Sequence, residues 1–288
     1  MDTVLKSLKL SLTFSNFFLF FIYSRCCFTD LSKLIMRLDQ ALADKITDTF
    51  NFSDLKKVTE IEPEALSKLT KYAYNHLNFK SLLVLDLEVA TILSKYDGSI
   101  SLDKLSELKA SCAEQLGKHK GELSLNGIRT LDENIAIHLS KHKKNTFFNN
   151  LHLNGLLRIN PATADALSNF KGKLFLHGVK ETDPVVLNKL VSKTCSLSLQ
   201  QIDSLSKTFC ESLVGTKVKG SLHLDSVRQV DPLAAESLTK VKGGVSLNCL
   251  LKINSELAKP LAKITKTLSL DGINSLDENT AFELFKTK

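Results

Sequence analysis

From residue 53 onward, aliphatic and polar positions alternate in a pattern that returns about every 23 residues. Two copies are nearly alike: Leu123–Lys141 reads LSLNGIRTLDENIAIHLSK and Leu268–Lys286 reads LSLDGINSLDENTAFELFK. With Leu123 as position 1, copies begin at Ser53, Leu77, Ile100, Leu123, Leu151, Leu174, Leu197, Leu222, Val245 and Leu268. Aliphatic residues at positions 1 and 3 with polar ones at 2 and 4 have the period of a half-buried strand. Position 6 is Val, Leu or Ile throughout, and position 17 is Leu in every copy, from Leu69 to Leu284. Positions 14 and 17 lie three apart, on one face of a helix, and position 14 is usually Ala.

Local signals set the start of that helix. Position 10 is Asp86, Asp132, Asn160, Asp183, Ser206, Asp231, Asn254 or Asp277 in most copies, residues whose side chains accept from the first free N–H groups. Pro63, Pro161, Pro184 and Pro232 stand at position 11, where a missing N–H costs little. Each unit is therefore a short strand, a turn and a capped helix. One unit cannot bury its own leucines, but stacked units can, so the pattern predicts parallel strands roughly 4.8 Å apart in a repeat solenoid.

These columns, written L-x-L-x-x-[ILV]-x-x-L-[DNS]-x-x-x-A-x-x-L-x-K, resemble a leucine-rich repeat, closest to the bacterial-type, cysteine-containing subclass. The resemblance covers residues 53–288. It implies an α/β horseshoe solenoid of about ten strand–turn–helix units that binds other proteins. Position 6 departs from better-known subclasses, which carry a hydrogen-bonding Asn there. Asn or Asp stands at position 4 instead, followed by Gly in Asn126-Gly127, Asn154-Gly155 and Asp271-Gly272, which reads as turn chemistry at the strand exit.

Positions 2 and 4 would line the concave sheet, and its central copies carry His152, Asn154, Phe175, His177, Ser198, Gln200, His223 and Asp225. Phe175 is the single aromatic in these two columns and a natural hot spot for a protein partner. The 28-residue spacing before Leu151 inserts residues around Phe147 and Phe148, either an exposed anchor or a pair tucked under the next repeat. His152 and His177 are in adjacent copies, but solvated polar residues on a sheet face are the expected reading, and no metal is predicted.

The net charge of +7 raises a polyanion reading. Lys71, Lys95, Lys118, Lys141, Lys240, Lys263 and Lys286 share position 19, in the last helical turn, where a cation offsets the macrodipole. Stacking would align them into a ridge, which makes peripheral membrane or polyanion binding the alternative function. Without interleaved aromatics, nucleic acid is not favoured. The six cysteines form no paired framework, no catalytic motif is present, and no cofactor is expected, so the chain reads as non-enzymatic.

Outside the repeats, residues 1–29 contain an apolar stretch, Leu10–Tyr23, of signal-sequence length, pointing to export or membrane attachment if it is a targeting segment. Translation from Met36 would delete it and leave a cytoplasmic protein. Residues 30–52 are expected to hold an amphipathic capping helix over 30–48, with Asp30 as its cap. At the other end, the tenth copy lacks a polar capping segment, which predicts self-association through Leu268 and Leu270.

Overall fold

The computed structural model describes residues 35–74, 76–142, 149–180, 183–193, 196–205 and 220–286. Arg37–Lys288 forms one compact unit; Met1–Met36 forms another, nearly all of it outside the described residues. In the larger unit, strands are β1 (Arg37–Leu38), β2 (Glu60–Ile61), β3 (His76–Asn78), β4 (Ser99–Ser101), β5 (Leu123–Ser124), β6 (Asn150–His152) and β7 (Lys173–Phe175). They continue with β8 (Ser196–Ser198), β9 (Ser204–Leu205), β10 (Leu222–His223), β11 (Gln229–Val230), β12 (Val245–Ser246) and β13 (Leu268–Ser269).

Nine of these strands form one parallel sheet in the order β13-β12-β10-β8-β7-β6-β5-β4-β3. The register aligns position 1 of successive copies: Leu77 with Ile100, Ile100 with Leu123, Leu123 with Leu151, Leu151 with Leu174 and Leu174 with Leu197. It continues through Leu222 and Val245 to Leu268. The irregular 28-residue spacing therefore does not slip the register, because a one-residue slip would turn every buried leucine to the other face. Two short parallel pairs, β1 with β2 and β9 with β11, lie outside this sheet.

The helices are α1 (Gln40–Thr49), α2 (Pro63–Tyr72), α3 (Leu87–Leu93), α4 (Ala110–Leu116), α5 (Glu133–Ser140), α6 (Pro161–Leu167), α7 (Pro184–Val191), α8 (Pro232–Leu238), α9 (Ser255–Ala262) and α10 (Glu278–Phe285). Asp132, Asn160, Asp183, Asp231, Asn254 and Asp277 cap their helices by accepting a main-chain N–H at 2.8–2.9 Å. Asp86 occupies the same place without a side-chain cap bond. All four position-11 prolines are first helical residues. The core is the set of aliphatic columns: Leu102, Leu125, Leu153 and Leu176 at position 3, and Leu93, Leu116, Leu139 and Leu167 at position 17, are wholly buried.

A further buried column runs through position 20, where Tyr96, His119, His142 and Phe170 succeed one another. The His119 and His142 rings meet edge-on at 5.5 Å, and His142 lies 6.0 Å from Phe170. His142 Nδ1 contacts Asn149 Oδ1 at 2.8 Å, whereas neither ring nitrogen of His119 has an aligned hydrogen-bond partner.

Two expectations change at the N-terminal end. Residues 35–39 are not helical and a helix runs from Gln40, with Asp39 accepting from Leu42 N–H, because Arg37–Leu38 extend to pair with Glu60–Ile61; the expected cap Asp30 lies outside the described residues. The first copy is a 3-10 turn, Phe52–Lys57, not a strand. Ser53 offers no aliphatic side chain at position 1, and Asn51 bonds its N–H to close a turn instead. Leu55 and Val58 of this copy are nevertheless fully buried.

Candidate functional site on the open sheet face

Period-two alternation buries positions 1 and 3 and leaves 0, 2 and 4 on the opposite face, so that face is built from one short stretch of each copy. Its centre is aromatic. The His152 ring stacks on Phe175 at 4.1 Å and 11°, and His177 meets the same ring edge-on at 5.4 Å. Lys173 Nζ lies 4.9 Å over the Phe175 ring, a cation–π contact. The expected exposed hot spot is thus a half-buried ring held by three neighbours.

Polar groups frame the cluster. His152 Nε2 comes within 2.7 Å of Glu122 Oε1, an ion pair when the ring is protonated rather than an aligned hydrogen bond. Asn150 Nδ2 donates to the other Glu122 oxygen at 3.3 Å, and His177 Nε2 meets Ser198 Oγ at 3.0 Å. Burial holds His177 below the ordinary histidine range, and the neighbouring His152 and Lys173 push the same way. Burial and then Lys173 lower His223, with Asp225 opposing. Burial also lowers Lys173, again against Asp225. Two imidazoles here consequently favour the neutral form at pH 7.

Position 4 does something the sequence pattern did not suggest. Asn126 Oδ1 accepts from Asn154 N–H at 3.0 Å, and Asn154 Oδ1 accepts from His177 N–H at 3.0 Å. Asp103 accepts from Asn126 N–H at 3.3 Å, Asp225 from Asn248 N–H at 3.4 Å, and Asn248 from Asp271 N–H at 3.2 Å. Each side chain serves the next copy, making a ladder two positions before the aliphatic column at position 6. Burial raises Asp103, but hydrogen bonds from Ser124, Ser101 and Asn126 outweigh it and hold the carboxyl below the usual range.

The glycines at position 5 answer to the same contact. A Cβ on Gly155 would stand 2.1 Å from Asn126 O and 2.7 Å from Ile128 O. Gly155 therefore permits close approach of adjacent copies, and it also sits in the expected turn, which Leu156 N–H closes onto Leu153 O at 3.1 Å.

Among the residues expected at the site, His152, Phe175 and His177 come together, with His223 half-buried on the same face. Asn154 and Asp225 belong to the ladder, and Gln200 is exposed with no hydrogen bond among the described residues. Phe147 and Phe148 lie outside the described residues. Glu122 and Lys173 were missed: both stand one residue before position 1, where alternation places them on the same face.

Elsewhere, Lys71, Lys95, Lys141, Lys240 and Lys263 are exposed near helix C-termini and make no ion pair among the described residues, while Lys118 pairs with Glu114 at 3.3 Å. Cys112 is buried and Cys249 exposed, both as free thiols. Among the described residues no group of three metal-binding side chains gathers, and no helix is long and apolar enough to cross a membrane.

No protein-family profile matches the chain, and no curated protein matches it. Among solved structures it is similar to one described as the Toll–Spatzle complex, a molecular hub in Drosophila development and innate immunity. The TM-score is 0.46 at 11% identity, over 77% of this chain and 34% of that one. This chain thus spans about a third of that protein's length. The mixed α/β fold with its nine-stranded parallel sheet rests on the strand register itself.

Proposed function

We propose that this protein is a leucine-rich-repeat solenoid of the horseshoe kind and a non-enzymatic scaffold that binds a protein partner on its open sheet face. One observation carries the reading: a ring-and-cation cluster of His152, Phe175, His177 and Lys173 occupies the centre of an otherwise short, polar side-chain surface. A half-buried aromatic whose neighbours already fix its orientation loses little entropy on docking, which is what a hot spot needs.

The test is affinity capture with wild-type and Phe175→Ala baits of matched thermal stability. The variant should release a partner that the wild-type protein retains, with affinity falling about tenfold or more. Equal retention by a folded variant removes the sheet face from consideration.

A second reading has its own support. Five exposed lysines at the helix C-termini, without an ion pair among the described residues, offer a surface for anionic lipid or another polyanion. Binding through them would collapse as salt rises from about 50 to 200 mM, whereas docking on Phe175 would change far less.

A further inference from the structure

The position-4 ladder has an interior break. Asn126 and Asn154 serve the copies that follow them, and Asp225 and Asn248 do so on the far side. Between them, His177 and Gln200 stand where acceptors for Gln200 N–H and Asp225 N–H belong. The His177 ring turns to Ser198 instead, and Gln200 makes no hydrogen bond among the described residues. Among the described residues, neither main-chain N–H has an acceptor. Two main-chain donors in successive copies are therefore left open, and Lys173, over the Phe175 ring on the same sheet face, makes no salt bridge among the described residues.

We propose that this break is a carboxylate-binding notch, and that the partner of the sheet face is an acidic peptide segment whose Asp or Glu side chains supply the missing acceptor oxygens. The inference rests on the sheet-face reading above and names its partner class. In the intact rungs the acceptor is itself an Asp at Asp103 and Asp225 and an Asn elsewhere, so a carboxylate is the chemical equivalent of what is missing. Hydrogen bonds from main-chain N–H to an ionised acceptor are the stronger kind, and Lys173 adds positive charge on the same sheet face. Asp225 turns its Oδ1 away to the following copy, where it accepts from Ser246 Oγ and Asn248 N–H.

A pH signature follows. His177 faces His152, Lys173 and Asp225, with Glu122 behind His152; His223 faces Lys173 and Asp225. An incoming carboxylate raises both imidazoles, so binding takes up protons and strengthens as pH falls from about 7.5 to 6.

Titrating the full chain with a ten-residue Glu-rich peptide and its Gln counterpart tests the proposal. The Glu peptide should bind at least tenfold tighter. His177→Asn with Gln200→Asn supplies both acceptors from within, and should erase that preference while leaving thermal stability equal or higher. Gln200→Asn alone, which closes one rung, should erase part of it and serves if the double variant misfolds. Equal binding of the two peptides, or an undiminished Glu preference in the ladder-completed variants, overturns the notch; the second result assigns the acidic peptide to the lysine ridge, which those variants leave intact. Loss of partner capture in Phe175→Ala together with either result would leave the sheet-face reading standing and reject only the notch.

Discussion

His119 offers the sharpest test of the buried position-20 column. It is wholly buried between Tyr96 and His142, and burial together with the neighbouring His142 pushes its pKa down to about 4. Main-chain groups of Tyr96 and Glu122 and the charge of Asp97 favour the cation but offset only part of this. In the unfolded chain the ring titrates at about 6.5. Between those two values the unfolded chain binds more protons than the folded one, so stability rises with pH across the window. The contribution is complete above about pH 6.5 and lost progressively toward pH 4. A shift from 6.5 to about 4 corresponds to roughly 3 kcal/mol in full, and to about 2 kcal/mol at pH 5. His119→Phe, which copies the Phe170 of the same column, removes the titrating group and should flatten the profile by that amount. Urea unfolding followed by circular dichroism at pH 7, 6 and 5, at constant ionic strength, measures it. Wild type should lose about 2 kcal/mol more than the variant between pH 7 and 5. His142, also lowered by burial, leaves a residual slope in both proteins. Parallel profiles would falsify the assignment of acid sensitivity to His119.

Three further outcomes are expected. Leu139→Ala, emptying a wholly buried position-17 site, should cost about 2–5 kcal/mol in urea unfolding, while exposed Glu133→Ala stays within about 0.5 kcal/mol; similar losses in both would reject the register. Gly155→Ala should lower the thermal midpoint because its Cβ would collide with Asn126 O, a main-chain atom that cannot swing aside; an unchanged midpoint refutes the close-packing role. Asn154→Ala strands the His177 N–H and should cost about 1–3 kcal/mol, with Asn154→Asp largely restoring it; a neutral alanine variant would mean the ladder is ornamental.

The repeat register was legible because burial acts on it directly: a column that must face the core in every copy can hold only Leu, Val or Ile, and the strand pairing follows that column from Leu77 to Leu268. Features that depend on contacts between copies were harder to read. Asn154 and Asp225 looked like partner-facing residues because a side chain reaching across 23 residues of sequence leaves no local trace. His119 and His142 were hidden among the lysines that surround them at positions 19–22, where the polar neighbourhood masks a buried column. The first copy kept its buried Leu55 and Val58 but lost its strand, since Ser53 gives a strand nothing to bury. At the site, Phe175 was identifiable as the lone aromatic, but its stacking on His152 and the role of Lys173 depend on the neighbouring strands.

Because every rung of the position-4 ladder joins one copy to the next, the heritable unit of this architecture is the junction, not the copy. Excising one period by unequal recombination creates a single new seam, and its quality depends on which two position-4 residues meet there. Loss of the copy starting at Leu151 would set Asn126 before His177, a seam as good as the original. Loss of the copy starting at Leu174 would instead set Asn154 before Gln200 and close one of the two open rungs. Such deletions could leave the array equally well folded and yet alter what it recognises, so changes in repeat number and changes in specificity would arise from the same genetic event.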